Sequence, residues 1–369
     1  MSASAPEPPR APLLLVASSS VTGPAEGQIA LARLLRARGI EARIAADTVK
    51  AGDVKERLEA AGVPWIPDLS MSRAVWPGRA IRDVRVLRAI IRRGETDLLH
   101  ASFSHDHHMA VWAARGTGVP VFRTAHRRRD VEIGTYRRRL YRLSAGIVVH
   151  AESYRRILLE RGMEEDRVFA IPGFVDAGKF TSGRSPALRR EWGVGGDVPL
   201  AGIVARMKPE RLHDRLLEAW KLVGVPGARL VIVGRGEDER RLRALAPDGV
   251  VFGGYRAGAE LVEAYRALDV AVWLREGNDG ACRGVLEAMA CAVPVVVGNE
   301  GAPPELVGET GRVVDPQSPE SIAESLRDLL GNLPFARRLG AAARARAQTF
   351  SPERYCENVL SFWRRLRPS

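Results

Sequence analysis

The stretch most informative about the architecture is Asp279-Gly-Ala-Cys-Arg-Gly-Val-Leu-Glu287-Ala-Met-Ala-Cys-Ala-Val-Pro-Val-Val-Val297. A Gly/Asn/Asp loop comes before a helix predicted to begin near Ala281, and the Val-rich end predicts a buried strand. Free N–H groups and the positive dipole at a helix N-terminus suit a diphosphate. Asp279 could accept hydrogen bonds from sugar hydroxyls, and Glu287, about two turns later, could hold a ribose. A capped helix followed by a buried strand, with Glu287 solvated, explains the same spacing.

The same order of short apolar segment, turn and amphipathic helix repeats in both directions along the chain. Such alternation predicts parallel sheets covered on both faces, and therefore an α/β fold with two Rossmann-like, doubly wound domains. The segments predicted as strands are Leu13–Ala17, Ala42–Ala46, Asp97–Ala101, Pro120–Thr124, Gly146–His150, Leu200–Val204, Arg229–Val233, Val250–Gly253, Val270–Leu274 and Pro294–Val297. The helices predicted between them include Glu26–Arg38, Ile81–Arg92, Arg211–Val223, Glu237–Leu245, Ala259–Ala267 and Arg283–Cys291.

Domain boundaries follow from composition. Residues 171–185 are rich in Gly, Pro, Asp and Ser, which is typical of a linker. We predict an N-terminal domain at 1–172, a linker at 173–185, a second domain at 186–350, and a last helix at 351–369 that packs back on the first domain. In such folds a ligand is expected at the carboxyl ends of the strands, in the crevice between the domains.

Composition and charge narrow the function classes. The chain of 369 residues is 46% hydrophobic and 27% charged, and no apolar run reaches the length of a membrane span. The Pro/Ala-rich start does not resemble a secretory leader, so we expect a cytoplasmic protein. The three cysteines have no metal-ligand or disulfide spacing. The formal charge of +12 concentrates in arginines at 73–93 and 123–142, which suits anionic lipid or a phosphorylated substrate. Nucleic acid is disfavoured because aromatic residues do not interleave with them.

Several stretches together resemble glycosyltransferase family 4. The separation of Asp279 and Glu287 and the following Ala-Met-Ala resemble the signature of that family. The similar stretches upstream and downstream run from the linker to the last third of the chain. They are Ile171–Phe180, Gly202–Arg211, Val231–Gly236, Phe252–Tyr255, Gly301–Glu305 and Glu309–Val314. In the first half, the likeness is limited to Gly23-Pro-Ala-Glu-Gly27 after the first strand and to His126 after a later one.

The resemblance implies the GT-B architecture of two Rossmann-like domains facing a central cleft, transfer with retention at the anomeric carbon, and no cofactor. In that architecture the domain at 1–172 would be on the acceptor side, and the domain at 186–350 would bind the nucleotide-sugar. It implies a nucleotide-diphosphate-sugar donor, with UDP- and GDP-sugars the first candidates. Catalytic roles would fall on His126, Asp279, Arg206 and Arg211. Donor contacts would come from Gly23, Gly27, Lys208, Gly234, Tyr255, Gly280, Ala281, Cys282, Arg283 and Glu287. His126 would reach the sugar from the opposite domain, and a hinge near Gly173 would close the cleft and exclude water.

The chain departs from the family pattern at two places. Asp279 stands where the family usually has Glu; Glu276 could instead be that acid, but Asp279 keeps the seven-residue spacing. Arg211 replaces the usual Lys and Leu212 the usual Gly. Arg still binds phosphate, as a bidentate fork, although its bulk could change diphosphate placement.

Metal-independent transfer is expected, because the chain contains no Asp-x-Asp cation motif and Arg206, Arg211 and the helix near Gly280 can supply positive charge. His105-Asp-His-His108 is disfavoured as a metal site, since at most two of four adjacent residues can converge; acceptor contact or helix capping suits it better. The acceptor could be phosphorylated or lipid-linked, as in cell-surface polysaccharide or glycolipid synthesis at the inner membrane face.

Three other function classes compete with this interpretation of the sequence. A nucleotide-cofactor oxidoreductase needs Gly-x-Gly-x-x-Gly, but Glu239 occupies the third glycine position after Gly234 and Gly236. A GT-B epimerase or phosphorylase is disfavoured by the signature helix. A non-catalytic nucleotide or sugar binder on the same scaffold is the alternative that the Arg211/Leu212 departure keeps open.

Overall fold

Two parallel sheets, each in its own compact unit, organise the chain. The structure is a computed structural model, and it describes residues 7–71, 77–275 and 280–366. Unit 1 comprises the described residues up to Pro172 together with 280–281 and 352–366, and unit 2 comprises 173–275 and 282–351. The predicted linker residues 173–185 therefore group with unit 2.

Unit 1 is built on a seven-stranded parallel sheet in the order β3-β2-β1-β4-β5-β6-β7. Its strands are β1 Pro12–Val16, β2 Arg43–Ala46, β3 Trp65–Ile66, β4 Leu98–Ala101, β5 Val121–Ala125, β6 Gly146–Val149 and β7 Val168–Ala170. Its helices up to the linker are α1 Gly23–Arg36, α2 Val54–Ala60, α3 Pro77–Arg92, α4 Ser104–Ala114, α5 Arg128–Val131, α6 Thr135–Arg142 and α7 Glu152–Glu160, with a 3-10 turn at Glu165–Arg167. The strand order reverses between β1 and β4, which is where such sheets bind ligands.

Unit 2 repeats this order over six parallel strands, β10-β9-β8-β11-β12-β13. Its strands are β8 Leu200–Val204, β9 Arg229–Val233, β10 Val250–Gly254, β11 Val270–Trp273, β12 Val295–Gly298 and β13 Arg312–Val314. Its helices are α8 Pro186–Glu191, α9 His213–Val223, α10 Glu239–Leu245, α11 Gly258–Ala267, α12 Arg283–Ala290, α13 Pro303–Val307, α14 Pro319–Leu330 and α15 Leu333–Ala347, with 3-10 turns at Pro209–Arg211 and Gly308–Thr310. Here the order reverses between β8 and β11.

The predicted α/β class is confirmed, and the strands are buried as their continuous apolar runs predicted. Their Val-, Ile- and Leu-rich runs face helices on both sides, as parallel strands require. The sequence did not predict β3, β7 and β13, which are two or three residues long and lie near the ends of their sheets. So short a strand holds too few apolar residues to produce a recognisable pattern.

The last helix, α16 (Pro352–Leu366), belongs to unit 1 although it follows all of unit 2 in the chain. Trp363 and Phe362 are almost fully buried. Trp363 Nε1 donates a hydrogen bond to His100 Nδ1 at 3.1 Å, and the Phe362 ring meets Phe122 edge-on at 5.1 Å. Helix α16 therefore covers one face of the seven-stranded sheet, over β4 and β5. Among the described residues, no helix is long and apolar enough to cross a bilayer.

Candidate functional site

Basic side chains gather just beyond the carboxyl end of β8. Arg206 and Lys208 lie in the loop after this strand, and both pair with Glu237, at 3.5 and 3.4 Å. The Glu237 carboxylate thus bridges two of the predicted diphosphate ligands, and these charges lower its pKa together with a backbone hydrogen bond, the largest cause. Because Arg206 and Lys208 both contact one carboxylate, their spacing also suits contact with a second shared anion.

Arg211 ends the 3-10 turn that precedes α9. Its guanidinium lies over the Trp273 ring, 4.7 Å from the centroid, and donates to the carbonyl oxygen of Arg275 at 3.2 Å. The prediction that a helix begins at Arg211 was two residues early, since α9 begins at His213. The physical reason is Leu212, whose left-handed backbone (φ 58°) cannot continue a right-handed helix.

Leu212 stands where the family usually has Gly, and its backbone conformation is one that favours glycine. A leucine holds this conformation because its side chain packs against the hydrophobic core of unit 2. His213, the next residue, is 1% exposed, and burial lowers its pKa to about 4, with Arg211 contributing. A neutral imidazole therefore lies beside the basic cluster.

Helix α12 starts at Arg283, which confirms the start of the predicted helix Arg283–Cys291, whereas the start near Gly280 or Ala281 that the loop pattern indicated was two or three residues early. Cys282 is buried and left-handed (φ 47°), so the helix can only begin after it. Gly280 groups with unit 1, and a Cβ at this position would collide with the carbonyl oxygen of His126. Asp279, and the alternative acid Glu276, lie outside the described residues.

Glu287 is oriented by a buried tyrosine that the sequence did not single out. Tyr265 on α11 donates its hydroxyl to Glu287 Oε2 at 2.9 Å. Burial raises the pKa of Tyr265 well above its ordinary value, and the Glu287 carboxylate raises it further. The tyrosine is therefore a permanent donor, and it leaves the carboxylate further lone pairs with which to accept other hydroxyls.

Gly234 and Tyr255 follow neighbouring strands of unit 2. Gly234 follows β9 with φ 144°, and a Cβ there would collide with the carbonyl oxygen of Ala205. Glycine therefore lets two loops approach each other beside Arg206. Tyr255 follows β10 and is exposed, with the Arg235 guanidinium 4.4 Å from its ring centroid. Both residues lie at the carboxyl edge of the sheet, as the sequence predicted for that segment.

In unit 1, Gly23 and Gly27 both lie within α1, which begins three residues before the predicted start at Glu26. The helix starts at Gly23 because the Thr22 side chain accepts a hydrogen bond from the Ala25 N–H, and because Pro24 has no N–H to satisfy. Gly23 lies in the first turn, where free N–H groups remain. Gly27 is a full turn inside the helix.

His126 directly follows β5 and is buried. Its Nδ1 lies 3.1 Å from Nε2 of His150, which follows β6. Burial lowers the pKa of His126 well below the ordinary value, with His150 and Arg123 as the next causes. The two strands are neighbours in the sheet, so their carboxyl ends bring the two rings together.

The run from His105 to His108 lies in α4 and serves packing and capping. The Asp106 carboxylate accepts hydrogen bonds from the backbone N–H groups of Ala17, Ser102 and Phe103, so it fastens the ends of β1 and β4 to the helix. His107 is buried against Ser144 Oγ at 2.7 Å. Within the described parts of the chain, no group of three or more His, Cys, Asp or Glu residues could hold a metal ion.

The sequence did not single out three residues that contact predicted site residues: Glu237, Tyr265 and His150. Tyr265 and His150 lie 22 and 24 residues from the partners they contact, so only the folded chain reveals them. Glu237 directly follows the quoted stretch Val231–Gly236 and is not one of the two acids of the family signature. A polar residue directly after a buried strand, as at His150, was the one available signal.

Two family models match the chain in succession. A model described as Glycosyltransferase Family 4 matches residues 23–179, and one described as Glycosyl transferases group 1 matches residues 185–346. The GDP-mannose-dependent alpha-mannosyltransferase of Mycobacterium tuberculosis is 32% identical over 303 residues, covering 78% of each chain. A GDP-mannose-dependent alpha-(1-6)-phosphatidylinositol monomannoside mannosyltransferase of Mycolicibacterium smegmatis is 32% identical over 287 residues, 73% of this chain and 70% of the relative.

Solved structures share the architecture. The crystal structure of a glycosyltransferase from Rickettsia africae superposes with a TM-score of 0.82 and 19% identity, covering 97% of this chain and 99% of the other. At that identity the likeness identifies the fold, which is GT-B: two parallel-sheet α/β domains of Rossmann type.

Proposed function

This chain belongs to glycosyltransferase family 4, and from that premise we propose that it transfers a hexosyl group from a GDP-sugar, without a metal ion. That it is a glycosyltransferase using a nucleotide-sugar donor follows from the family. The donor base, the sugar, the metal independence and the acceptor are the proposal. The observation that carries it is the cluster of Arg206, Lys208 and Arg211 beyond β8.

A GDP-sugar of the mannose class is the proposed donor. Support comes from the two relatives named above, both of which are GDP-mannose-dependent. In unit 2 the Glu287 carboxylate would accept the ribose hydroxyls while Tyr265 holds it in place. The loop before α12, from Gly280 to Cys282, would contact the donor sugar together with Asp279. Arg283, Gly234 and Tyr255 would complete the donor contacts.

Positive charge would replace a metal ion at the leaving diphosphate. Arg206, Lys208 and Arg211 carry three positive charges at one edge of the sheet, and the N-terminus of α12 adds a partial one. As the bond to the sugar breaks, negative charge builds up on the diphosphate, and preorganised cations stabilise it most in that transition state. Arg211 is held by Trp273 and a carbonyl, so its fork needs little reorganisation.

The acceptor is proposed to be lipid-linked or phosphorylated, and a basic face of unit 1 is proposed to bring the enzyme to anionic membranes. We define this basic face by Arg85, Arg88 and Arg92 of α3, Trp112 of α4 and Tyr136 of α6. Trp112 and Tyr136 are 54% and 66% exposed. The helices are neighbours, since Arg88 donates to the carbonyl of Arg115 and the His108 ring stacks on Tyr136. Arginine with exposed Trp and Tyr suits the headgroup region of an anionic leaflet.

The function is tested by binding. GDP, UDP, ADP and TDP would each be added to the protein with and without EDTA, and thermal stabilisation measured. We expect the largest shift with GDP, unchanged by EDTA and lost in Glu287→Gln, while Glu324→Gln on the exposed face of α14 keeps it. Transfer from GDP-mannose that depends on added Mg²⁺ would reject metal independence, and a larger shift with UDP would reject the GDP assignment.

Membrane docking has its own test. We expect the protein to sediment with vesicles containing phosphatidylinositol and not with pure phosphatidylcholine, and to be released by high salt. Arg85→Glu/Arg92→Glu should abolish sedimentation, whereas Arg337→Glu/Arg338→Glu on α15 of unit 2 should not. Equal binding by both double variants would exclude the basic face as the docking surface.

A further inference from the structure

The side chain of Arg123 is buried in the interior of unit 1. Arg123 lies in the middle of β5, and its exposed fraction is 0%. Side chains alternate between the two faces of a strand, and the neighbouring Phe122 packs against Phe362 of α16. Arg123 therefore points to the opposite face of the sheet, where its charge lowers the pKa of groups on α4, α5 and α6.

The hydrogen bonding of this guanidinium is incomplete. Nε, Nη1 and Nη2 of Arg123 are all buried and have no hydrogen-bond partner among the residues that the structure describes. The Asp130 carboxylate is 3.9 Å from Nη2, and its oxygens accept instead from Arg127, at 3.1 and 3.3 Å. The Tyr141 oxygen lies near the guanidinium but outside hydrogen-bond geometry. Because a guanidinium carries five N–H donors, this one needs acceptors that do not belong to the chain.

The charges around Arg123 do not balance. Arg123 and Arg127 are cations, and Asp130 is the anion that they share. The other carboxylate nearby, Asp106, accepts hydrogen bonds from three backbone N–H groups, and burial raises the pKa of Asp106 to about 7. At neutral pH this carboxylate therefore carries its negative charge only part of the time. Since an arginine does not lose its proton in a protein, the cluster keeps an excess of positive charge.

A second buried atom on this face, Nδ1 of His107 on α4, also lacks a hydrogen-bond partner within the described parts of the chain. Burial lowers the pKa of His107 well below its ordinary value, with Arg123 as the next cause, so the ring is neutral. Ser144 Oγ can donate to His107 Nε2, which leaves the hydrogen on Nδ1. A water molecule would have to place two hydrogens among these donors, whereas a monatomic anion accepts from all of them. Full burial of Arg123 excludes a ligand as large as a sugar phosphate.

We propose that unit 1 holds a chloride ion between β5 and helices α4, α5 and α6, bound by the guanidinium of Arg123 and the Nδ1–H of His107. The anion neutralises the buried cation and holds these helices against the sheet, so it is a structural ligand. All the residues of this site belong to unit 1. The site is therefore independent of the proposed donor and of the transfer reaction.

Bromide locates the site directly, because it replaces chloride and scatters X-rays anomalously. Crystals of the full chain grown in sodium bromide should show an anomalous peak in contact with the Arg123 guanidinium and with His107 Nδ1. Crystals of Arg123→Met, whose side chain has a similar length and no charge, should lack that peak. Water molecules at Arg123 without an anomalous peak would overturn the proposal.

Amide hydrogen exchange in solution tests whether the anion stabilises unit 1. Sodium chloride is exchanged stepwise for sodium gluconate, whose anion is too large for the site, at constant ionic strength. At a chloride concentration about ten times the Kd, exchange in peptides covering β5 and α4 should be about tenfold slower than in gluconate. A peptide covering β9 of unit 2 should exchange alike in both salts. Equal exchange of β5 and α4 in the two salts would overturn the proposal.

Variants separate the anion site from general packing. Arg123→Met should remove the dependence of exchange on chloride, whereas Arg57→Met, which removes a partly exposed arginine from the same unit, should keep it. His107→Phe should raise the chloride concentration that gives half of the effect about fivefold, as expected for one hydrogen bond. An unchanged value in His107→Phe would overturn the part of His107 in the site. If Arg123→Met does not fold, the bromide peak and the wild-type titration still decide whether the site exists.

Discussion

Leu212 carries a backbone conformation that suits glycine. Its φ of 58° separates the turn holding Arg211 from helix α9, and its side chain packs on the core of unit 2. At Leu212 the backbone strain therefore destabilises the folded state, while the packing of the side chain stabilises it. Left-handed conformation costs a non-glycine residue about 1–2 kcal/mol. Leu212 lies beside the basic cluster, and backbone strain of this kind is common in functional sites.

Replacing this leucine separates the two effects. Leu212→Ala loses the packing and keeps the strain, whereas Leu212→Gly loses the same packing and relieves the strain. We expect the glycine variant to be more stable than the alanine variant by about 1 kcal/mol, measured by urea unfolding. An alanine variant as stable as the glycine variant would mean that the backbone relaxes without strain.

The hydrogen bond from Tyr265 to Glu287 leads to a prediction about the proposed ribose site. Tyr265→Phe removes only the hydroxyl that donates to Glu287, so the carboxylate should lose its fixed orientation. We expect the Kd for GDP to rise about three- to tenfold, the effect of one hydrogen bond to a charged group. Calorimetric titration with 2′,3′-dideoxy-GDP provides the control, since a ligand without the diol should bind both proteins alike. An equal loss for both ligands would point to a general packing defect.

At the scale of elements, the docking of α16 depends on the absence of a side chain at the start of β6. A Cβ at Gly146 would collide with Phe362 and Leu366. We expect Gly146→Ala to destabilise the protein by about 1–3 kcal/mol, the usual effect of overpacking a core. Gly78→Ala, in α3 with open space around its Cβ position, should be neutral or slightly stabilising. Unfolding by urea measures both, and equal stability of the two variants would contradict this packing.

The elements also show how far a sequence predicts structure. The central strands β1, β8 and β9 could be predicted almost to the residue, because their continuous apolar runs leave no alternative to a buried parallel strand. The start of α12 near Ala281 that the loop pattern indicated was two residues early, because the residue type of Cys282 does not reveal its left-handed backbone. The pairs Tyr265–Glu287 and His126–His150 likewise require helices and strands to be assembled first.

For the whole molecule, buried neutral histidines make stability depend on pH. Burial lowers the pKa of His100 to about 3 and that of His213 to about 4, from an ordinary value of 6.5. Between these values the unfolded chain binds more protons than the folded one, so stability falls as pH falls. The stabilisation from neutral histidine is complete above pH 6.5 and is lost on the way down to pH 4.

We therefore expect the free energy of unfolding to fall on acidification, with His213 alone contributing about 2 kcal/mol between pH 6.5 and 5. His213→Gln removes one titrating group and should flatten the profile by that amount. His108→Gln, at a partly exposed position on α4, should leave the slope unchanged. Urea unfolding at several pH values gives the comparison, and a slope in His213→Gln identical to wild type would refute the burial argument.

The place of α16 in the chain has a consequence for synthesis on the ribosome. Unit 1 is interrupted by all of unit 2, so the helix that covers β4 and β5 is translated after residues 173–351. Until then, Phe122 and His100 lack the aromatic rings that cover them in the finished protein. Unit 2 can fold while the earlier unit still exposes this apolar face to solvent. The apolar face of the first half therefore stays uncovered during most of translation, until Phe362 and Trp363 pack on it.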